Sequence, residues 1–295
     1  MKQKRTAGDI VFDTANIIFM LLFCLLCIYP FYYIFVYSFS NPQKADFAVL
    51  WPVQPTLENY RTVLNLDGFA RASLNSVLRT VIGTTLTVLV SAFFGYLMTK
   101  QEMYGRKFIY RLAVFSQYVG AGLIPTYLVM RAYGFYNTFL VYIIPGLISV
   151  YFVMLIKTYI ESIPPSLEES AKLDGAGIFQ CWWSVILPLS IPILATVAVF
   201  QSVAHWNAWF DTHIYITDER LWTLQYLLQR FLNTKKEEEM LRRLSGLATN
   251  QLRVTPTSKS LKLAVTAVVT IPILFVYPFL QRYFVKGLML GAVKG

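Results

Sequence analysis

The chain has 295 residues, of which 56% are hydrophobic and only 14% are charged, and its mean hydropathy is +0.51. Roughly a quarter of the residues of a soluble domain are charged, so this composition excludes an ordinary soluble protein. The net charge of +10 lies largely in loops beside apolar segments, which argues against nucleic-acid binding.

The apolar residues form runs of about 20, the length that crosses a hydrocarbon layer of roughly 30 Å at 1.5 Å per residue. Backbone polar groups in lipid must be satisfied within the segment, so each run is predicted to be a helix. The alternating pattern of barrel strands is absent. The predicted spans are 12–39, 76–98, 109–131, 137–157, 183–207 and 261–284. The sequence thus predicts an all-α, polytopic membrane protein whose single transmembrane domain fills 1–295.

Lys and Arg residues in the short loops predict the orientation, because such residues concentrate on the cytoplasmic side. The loop at 132–136 has none, with only Arg131 at its edge. Twelve cations share the opposite side, which predicts that both termini are cytoplasmic: Lys2, Lys4, Arg5, Lys100, Arg106, Lys107, Arg111, Lys157, Lys172, Arg282, Lys286 and Lys294.

A polar loop at 158–182 separates two of the apolar runs on the cytoplasmic side. Pro164 and Pro165 suit the approach to a helix, and Ser166 with Glu169 three residues later forms a capping-box pattern. Gly175 permits the left-handed turn that ends a helix. The pattern predicts two short helices at a glycine elbow, and by itself it fits a simple interfacial connector as well as a docking site.

No pattern for catalysis or metal binding is present. A phosphate-binding Gly-x-x-x-x-Gly-Lys-Ser/Thr motif and a nucleophile elbow are both absent. His205 and His213 lack ligand-spaced partners, and three cysteines cannot form a four-ligand zinc site. We therefore expect a protein that is not an enzyme and has no metal site.

The polar loop carries a resemblance to a known family. Glu169-Ser-Ala171, followed by Gly175 and by Val185-x-Leu187-Pro188, resembles the EAA loop of bacterial ABC-importer permeases, with Ser170 and Val185 as mild departures. Nearly end to end, the chain resembles carbohydrate-uptake permeases of the maltose-transporter type. The further matching stretches are Thr56–Tyr60, Asn75–Val77, Gly105–Lys107, Ile163–Ala176, Leu187–Pro192, Trp206–Asn207 and Gly291–Gly295.

The resemblance implies half of a channel in the bacterial inner membrane. The implied partners are a second homologous permease, two ATPase subunits that bind ATP and Mg²⁺, and an external solute-binding protein, with no cofactor on this chain. It also implies that the loop couples to the ATPase through Glu168, Glu169, Ser170, Ala171, Asp174, Gly175, Ala176 and Pro188.

The substrate implied by the resemblance is an oligosaccharide. The longer outside segment around 230–258 resembles the subgroup that serves lipoprotein-linked or oligouronate importers of the alginate type. The whole outside segment, 208–260, has eight cations and six acids, and we expect it to dock the solute-binding protein, although a solvated face is an equally simple interpretation.

Polar residues within spans are costly and usually face a cavity or a partner. Amides match sugar hydroxyls and aromatic rings stack on sugar rings, so the candidate substrate pathway consists of Gln117, Tyr118, Gln201, His205, Trp206 and Asn207. Hydrogen bonding between helices is the alternative role for these residues.

An ATP-independent secondary transporter is the alternative function. Proton coupling in such a protein needs acidic residues near the middle of the membrane. Apart from Asp13 at the start of the first span, the predicted spans contain no Asp or Glu, which argues against this alternative.

Overall fold

The computed structural model describes residues 7–45, 50–233 and 259–274, and these residues contain helices and no strand. The chain divides into two compact units. The first consists of Met1–Leu66 with Phe231–Thr270, and the second of Asp67–Arg230 with Ile271–Gly295.

In the first unit, α1 (Ala7–Ser38) is a 32-residue helix whose side chains are exposed along most of its length. Residues Gly8–Ser38 are long and apolar enough to cross a membrane. An apolar helix with no packed face is stable only in apolar surroundings, so α1 has the character of a lipid-facing span. The predicted span 12–39 coincides with it.

The C-terminal end of α1 is tied to α2 (Glu58–Leu64) by buried polar contacts. The Asn59 amide donates to the carbonyl oxygens of Ser38, at 2.8 Å, and Ser40, at 3.0 Å. The hydroxyls of Ser38 and Tyr60 lie 2.6 Å apart. Asn59 and Tyr60 belong to the stretch Thr56–Tyr60, which therefore has a structural role here.

A further helix covers residues 259–274 as far as the structure describes it. Its buried side chains include Leu261, Ala264 and Val265. It forms the beginning of the predicted span 261–284, and residues 275–284 lie outside the described part of the chain.

The helices that begin in the second unit are α3 (Phe69–Thr99), α4 (Arg106–Ser116), α5 (Leu123–Ala132), α6 (Val150–Ile160), α7 (Ser166–Leu173), α8 (Ile178–Cys181), α9 (Leu187–Leu189), α10 (Ile191–Asn207), α11 (Phe210–Tyr215) and α12 (Leu224–Asn233). Short 3₁₀ turns lie at Phe139–Tyr142 and Glu219–Leu221, and a π turn at Trp182–Ile186 joins α8 to α9.

The core of this unit forms where α6 and α10 pack on α3. A single buried cluster joins residues of all three helices to Cys181, Trp182 and Ile186. Glycines allow the close approach that small residues provide in membrane helices. A Cβ placed on Gly83 would lie 2.5 Å from His205 Nε2 of α10, and one on Gly95 would lie 3.1 Å from the Val153 oxygen of α6. The central helix α3 contains the predicted span 76–98 and is itself long enough to cross a membrane.

Two predicted spans differ from the expected continuous helix. The range 109–131 is divided between α4 and α5, because Gly122 has φ +82° and ψ 176°, a conformation that is open almost only to glycine. In the range 137–157, Pro145 and Gly146 separate the 3₁₀ turn from α6.

The predicted span 183–207 is bent. Ile178–Leu189 and Ile191–Asn207 meet at an angle of 80°, and together they could form one broken span. Pro192 lies at the start of α10, where its missing N–H and its ring interrupt the helical hydrogen bonds and account for the bend.

Candidate functional site

The polar loop folds as predicted into a short helix, α7, that ends at a glycine elbow. The N-cap residue is Pro165, so Ser166 lies within the first turn, and the expected capping box of Ser166 and Glu169 is not the arrangement in the structure. The proline's fixed φ suits this entry to the helix, and acidic Glu168 and Glu169 in the first turn are favourable to the helix dipole.

The C-terminal end of α7 is a left-handed turn at Gly175, where φ is +86°. The Ala176 N–H donates to the Ala171 oxygen and the Gly175 N–H to the Lys172 oxygen, each at 3.0 Å. This pair of bonds is the Schellman arrangement, which satisfies the last carbonyls of a helix. The predicted left-handed turn at Gly175 is therefore confirmed.

One side of α7 packs on the protein. Ala171 and Ala176 are half-buried and contact the core cluster of α3, α6 and α10. The remaining surface is open, and Leu173 is 90% exposed. Among the residues predicted to couple to an ATPase, the exposed ones are Glu169, Ser170, Asp174, Gly175 and, on α9, Pro188.

Glu168 differs from these exposed residues, because its carboxylate faces its own chain. The Tyr96 hydroxyl donates to Oε1 at 3.2 Å, Lys172 Nζ lies 3.3 Å from the same oxygen, and Lys100 Nζ pairs with Oε2. Tyr96 is fully buried, and the side chains of Glu168 and Lys100 are 14% and 12% exposed. Lys100 Nζ also lies 4.1 Å from the centroid of the Tyr96 ring.

These contacts determine the protonation state of the Glu168 carboxyl group. Burial opposes ionisation, but the hydrogen bonds and positive charges of Lys100 and Lys172 outweigh it and hold the pKa of Glu168 below its ordinary value. The pKa of Lys172 is raised, chiefly by its hydrogen bond to Glu168. Glu168 is consequently a carboxylate at neutral pH.

The residues predicted for a substrate pathway fall into two groups. Gln117 and Tyr118 are exposed at the start of the break between α4 and α5, and Tyr118 is 82% exposed. The other four residues lie on α10. The Gln201 amide nitrogen is 3.0 Å from His205 Nε2, and His205 is buried against Gly83. Trp206 is half-buried and Asn207 is exposed.

The break at 117–122 lies within an apolar range that is long enough to span a membrane. Its six residues are exposed, and open space surrounds a Cβ built on Gly120 or Gly122. Irregular backbone occurs at membrane depth only where it is covered by protein or lines a water-filled cavity, because lipid satisfies no hydrogen bond. In the predicted span 109–131 the break is therefore expected to lie against another protein surface or water.

Arg79, a cation within the predicted span 76–98, is not among the site residues predicted from the sequence. Its guanidinium pairs with both carboxylate oxygens of Asp211 and donates to the Ala208 oxygen at 3.2 Å, and its side chain is 4% exposed. The Arg79 Cζ atom lies 4.6 Å from the Tyr142 ring centroid. A single charge in an apolar run was the available signal, since an intramembrane charge requires a partner.

Neighbouring residues extend this contact into a buried polar cluster. Asn75 donates to the carbonyl oxygens of Arg220 and Trp222, and Ser76 accepts from the Leu224 N–H at 2.8 Å. The cluster thus holds the segment 208–224 against one end of α3. Asn75 and Ser76 belong to the stretch Asn75–Val77 noted in the sequence.

No group of three or more His, Cys, Asp or Glu side chains that could hold a metal ion occurs in residues 7–45, 50–233 and 259–274.

Comparison with known proteins connects this geometry to a family. Residues 2–289 match the family described as "binding-protein-dependent transport system inner membrane component". The polygalacturonan/rhamnogalacturonan transport system permease protein YtcP of Bacillus subtilis (strain 168) is 33% identical over 289 residues, which cover 97% of this chain and 99% of the relative. Protein LplC of the same organism is 36% identical over 298 residues, which cover 98% of this chain and 97% of LplC.

A solved structure has the same fold. It is the crystal structure of a bacterial ABC transporter involved in the import of the acidic polysaccharide alginate. One of its chains superposes with a TM-score of 0.87 at 28% sequence identity, and the match covers 96% of this chain and 100% of that chain.

Proposed function

The chain belongs to the family of binding-protein-dependent transport system inner membrane components, as a permease component of a carbohydrate ABC importer, and we propose that it forms half of a pathway driven by a separate ATPase. A second homologous permease forms the other half. Two ATPase subunits bind ATP and Mg²⁺, and an external solute-binding protein delivers the sugar. The family description supports the last of these partners, and this chain binds no cofactor itself.

The observation that carries the proposal is the half-exposed helix α7. One side is fixed to the core through Ala171 and Ala176, while Glu169, Ser170 and Asp174 remain available to a partner. A capped helix with an open polar side suits insertion into a groove of the ATPase. Closure of the ATPase dimer on ATP moves α7 and selects between two packings of the spans, which is alternating access by rigid-body motion.

In the membrane, the chain has six spans and both termini face the cytoplasm. The distribution of Lys and Arg supports this orientation. The apolar helices α1 and α3 and the bent pair at 178–207 are compatible with spans one, two and five. Breaks within the third and fourth spans are compatible with a pathway that contains water.

The imported carbohydrate is an acidic oligosaccharide. The relative YtcP is named for polygalacturonan and rhamnogalacturonan, and the similar solved transporter is described as importing an acidic polysaccharide. Gln117 and Tyr118 are the best-supported residues of the pathway, because they are exposed at the break between α4 and α5. Gln201, His205, Trp206 and Asn207 complete the proposed lining on α10.

Uptake into proteoliposomes tests this function. The complete complex, with the loaded binding protein outside and ATP inside, is expected to accumulate a labelled uronate oligosaccharide and to exclude a neutral oligosaccharide of equal length. Omission of ATP or of the ATPase is expected to abolish uptake. Uptake without the ATPase would contradict the importer and support the secondary transporter, whereas ATP-driven uptake of only the neutral sugar would contradict the acidic substrate alone.

A further inference from the structure

We propose that Glu168 is a positioning residue that fastens the coupling helix α7 to α3, so that the two helices move as one body during transport. This inference rests on the proposed function of α7 as the helix that receives the motion of the ATPase. It assigns Glu168 a different role from its neighbour Glu169, because Glu168 acts within the chain and Glu169 is open to a partner.

Both carboxylate oxygens of Glu168 are occupied by donors of the same chain. Tyr96 and Lys100, at the C-terminal end of α3, supply one donor to each oxygen, and Lys172 on α7 supplies a third at 3.3 Å. A carboxylate in this position is not available to a partner protein. The ATPase therefore meets the exposed part of α7, and Glu168 faces away from it.

The ion pair of Lys100 and Glu168 is largely shielded from solvent. The Lys100 and Glu168 side chains are 12% and 14% exposed, so salt screens their attraction less than it screens a surface pair. By contrast, the i,i+4 pair of Lys157 and Glu161 on the same predicted side has a Glu161 side chain that is 42% exposed and joins no separate elements. Glu161 is the natural control position, because Lys157 also contacts the Tyr110 ring of α4, with its Nζ atom 5.3 Å from the ring centroid.

The helix α3 packs on both α10 and α6 along its length. The helix has 31 residues, which corresponds to about 46 Å at 1.5 Å per residue. At Gly83 it packs on His205 of α10, and at Gly95 it packs on the backbone of α6. A displacement of α7 that reaches α3 through Glu168 is therefore delivered directly to the helix that carries the proposed pathway residues Gln201 and His205.

A cross-link tests whether the two helices move together. Lys100→Cys and Glu168→Cys are combined in a chain in which Cys24, Cys27 and Cys181 are replaced by Ala, and a short bifunctional thiol reagent joins the two new cysteines in the assembled complex. The unjoined complex lacks the ion pair and is expected to import fewer sugar molecules per ATP, whereas we expect the joined complex to come within about twofold of the native one, since a factor of two is under 0.5 kcal/mol. Loss of uptake on joining would show that α3 and α7 move apart and would overturn the proposal. The same reagent applied to Lys157→Cys with Glu161→Cys controls for chemical damage.

Substitution without a cross-link tests the ion pair itself. Glu168→Gln and Lys100→Met are each expected to lower the number of sugar molecules imported per ATP hydrolysed by about two- to thirtyfold. The double variant is expected to be no worse than either single one, because both remove the same link. Lys100→Arg keeps the charge and is expected to retain coupling, as is Glu161→Gln.

The outcomes separate this inference from the function on which it rests. Uptake by the native complex that is independent of ATP would contradict the proposed function. A native complex that depends on ATP, together with a Glu168→Gln complex that is fully coupled, would overturn only the role of Glu168. Loss of ATPase binding in Glu168→Gln, with no effect of Lys100→Met, would place Glu168 at the ATPase and would equally overturn the proposal.

Discussion

At the scale of single residues, Gly175 shows how a position without a side chain defines the end of α7. Its φ of +86° disfavours any other residue, although a Cβ built there meets no atom within 4 Å. The constraint is therefore the backbone conformation and not space. Gly177, two residues later, also has open space around its Cβ but adopts φ −72° and ψ 169°, which is ordinary extended backbone.

We predict that Gly175→Val uncouples ATP hydrolysis from uptake while the chain still inserts and assembles. A β-branched residue at positive φ costs about 1–3 kcal/mol of strain, which the short helix relieves by changing its C-terminal turn. The measurement is the stimulation of ATP hydrolysis by the loaded binding protein. Gly177→Val is the matched control and is expected to retain this stimulation. Gly175→Asn is expected to lose less stimulation than Gly175→Val, because Asn tolerates a positive φ better. Full stimulation in the Gly175→Val complex would contradict the prediction.

Arg79 and Asp211 show a second effect at this scale. The charge of Arg79 within an apolar helix is tolerated because both carboxylate oxygens of Asp211 and a backbone oxygen accept hydrogen bonds from its guanidinium. The two residues are 132 positions apart in the chain. Their contact positions the start of the segment 208–224 against α3. Because Asp211 is distant in sequence, the role of Arg79 cannot be inferred from its sequence neighbours.

At the scale of helices, the packing of α3 on α10 depends on the fit between Gly83 and His205. The His205 ring occupies the space that a side chain at position 83 would need, and its Nε2 atom also contacts the Gln201 amide. The same ring that was expected to line a pathway therefore has a packing role in this structure. The two roles predict different responses to substitution.

We predict that Gly83→Ala lowers the melting temperature of the purified chain, although alanine is the better helix former by about 1 kcal/mol. Overpacking typically costs about 1–3 kcal/mol, and the clash is with the His205 ring. Gly83→Ala combined with His205→Ala is therefore expected to be more stable than the sum of the single effects. Gly146→Ala, where a Cβ meets nothing within 4 Å, is the control. A Gly83→Ala chain as stable as the native one would show that the two helices can separate without cost.

At the scale of the whole molecule, the predicted cytoplasmic segments and the predicted outside segment differ in their balance of cations and acids. The twelve cations that predict the cytoplasmic side outnumber the acids of the predicted cytoplasmic segments, which are Asp9, Glu102, Glu161, Glu168, Glu169 and Asp174, by six, whereas the outside segment 208–260 has a surplus of only two positive charges, from eight cations and six acids. The part of this segment at 234–258 lies outside the described residues, so its expected role in docking the binding protein remains a prediction.

We predict that neutralising Lys235, Lys236, Arg242 and Arg243 together raises the concentration of binding protein needed for half-maximal uptake, with the maximal rate nearly unchanged. Exposed charges act over about 8 Å at physiological salt, so they influence docking and not the later conformational step. The measurement is uptake against binding-protein concentration at low and at high salt, and the variant and native curves are expected to converge at high salt. Identical curves at low salt would leave the segment without a docking role.

Local features of the sequence are sufficient to predict the class of the protein and the position of its polar loop. Long apolar runs, the distribution of Lys and Arg, and the pattern from Pro164 to Gly175 are local features, and hydrophobicity, proline and glycine act on the few residues around them. The helix α7, its left-handed end and the continuous helices α1 and α3 follow from such features. The breaks within 109–131 and 137–157 lie at glycine and proline residues that were visible, but an apolar run alone does not reveal them.

Which polar side chains contact each other depends on the packing of distant parts of the chain. Glu168 and Glu169 are adjacent in sequence and alike in chemistry, yet one faces Tyr96 and Lys100 while the other is exposed. The partners of Glu168 on α3, Tyr96 and Lys100, lie 72 and 68 positions away, and the partner Asp211 of Arg79 lies 132 away. A buried charge is stable only when packing brings its partner within a few ångströms, and packing depends on how α3, α6 and α10 fit together, which no local window of the sequence contains.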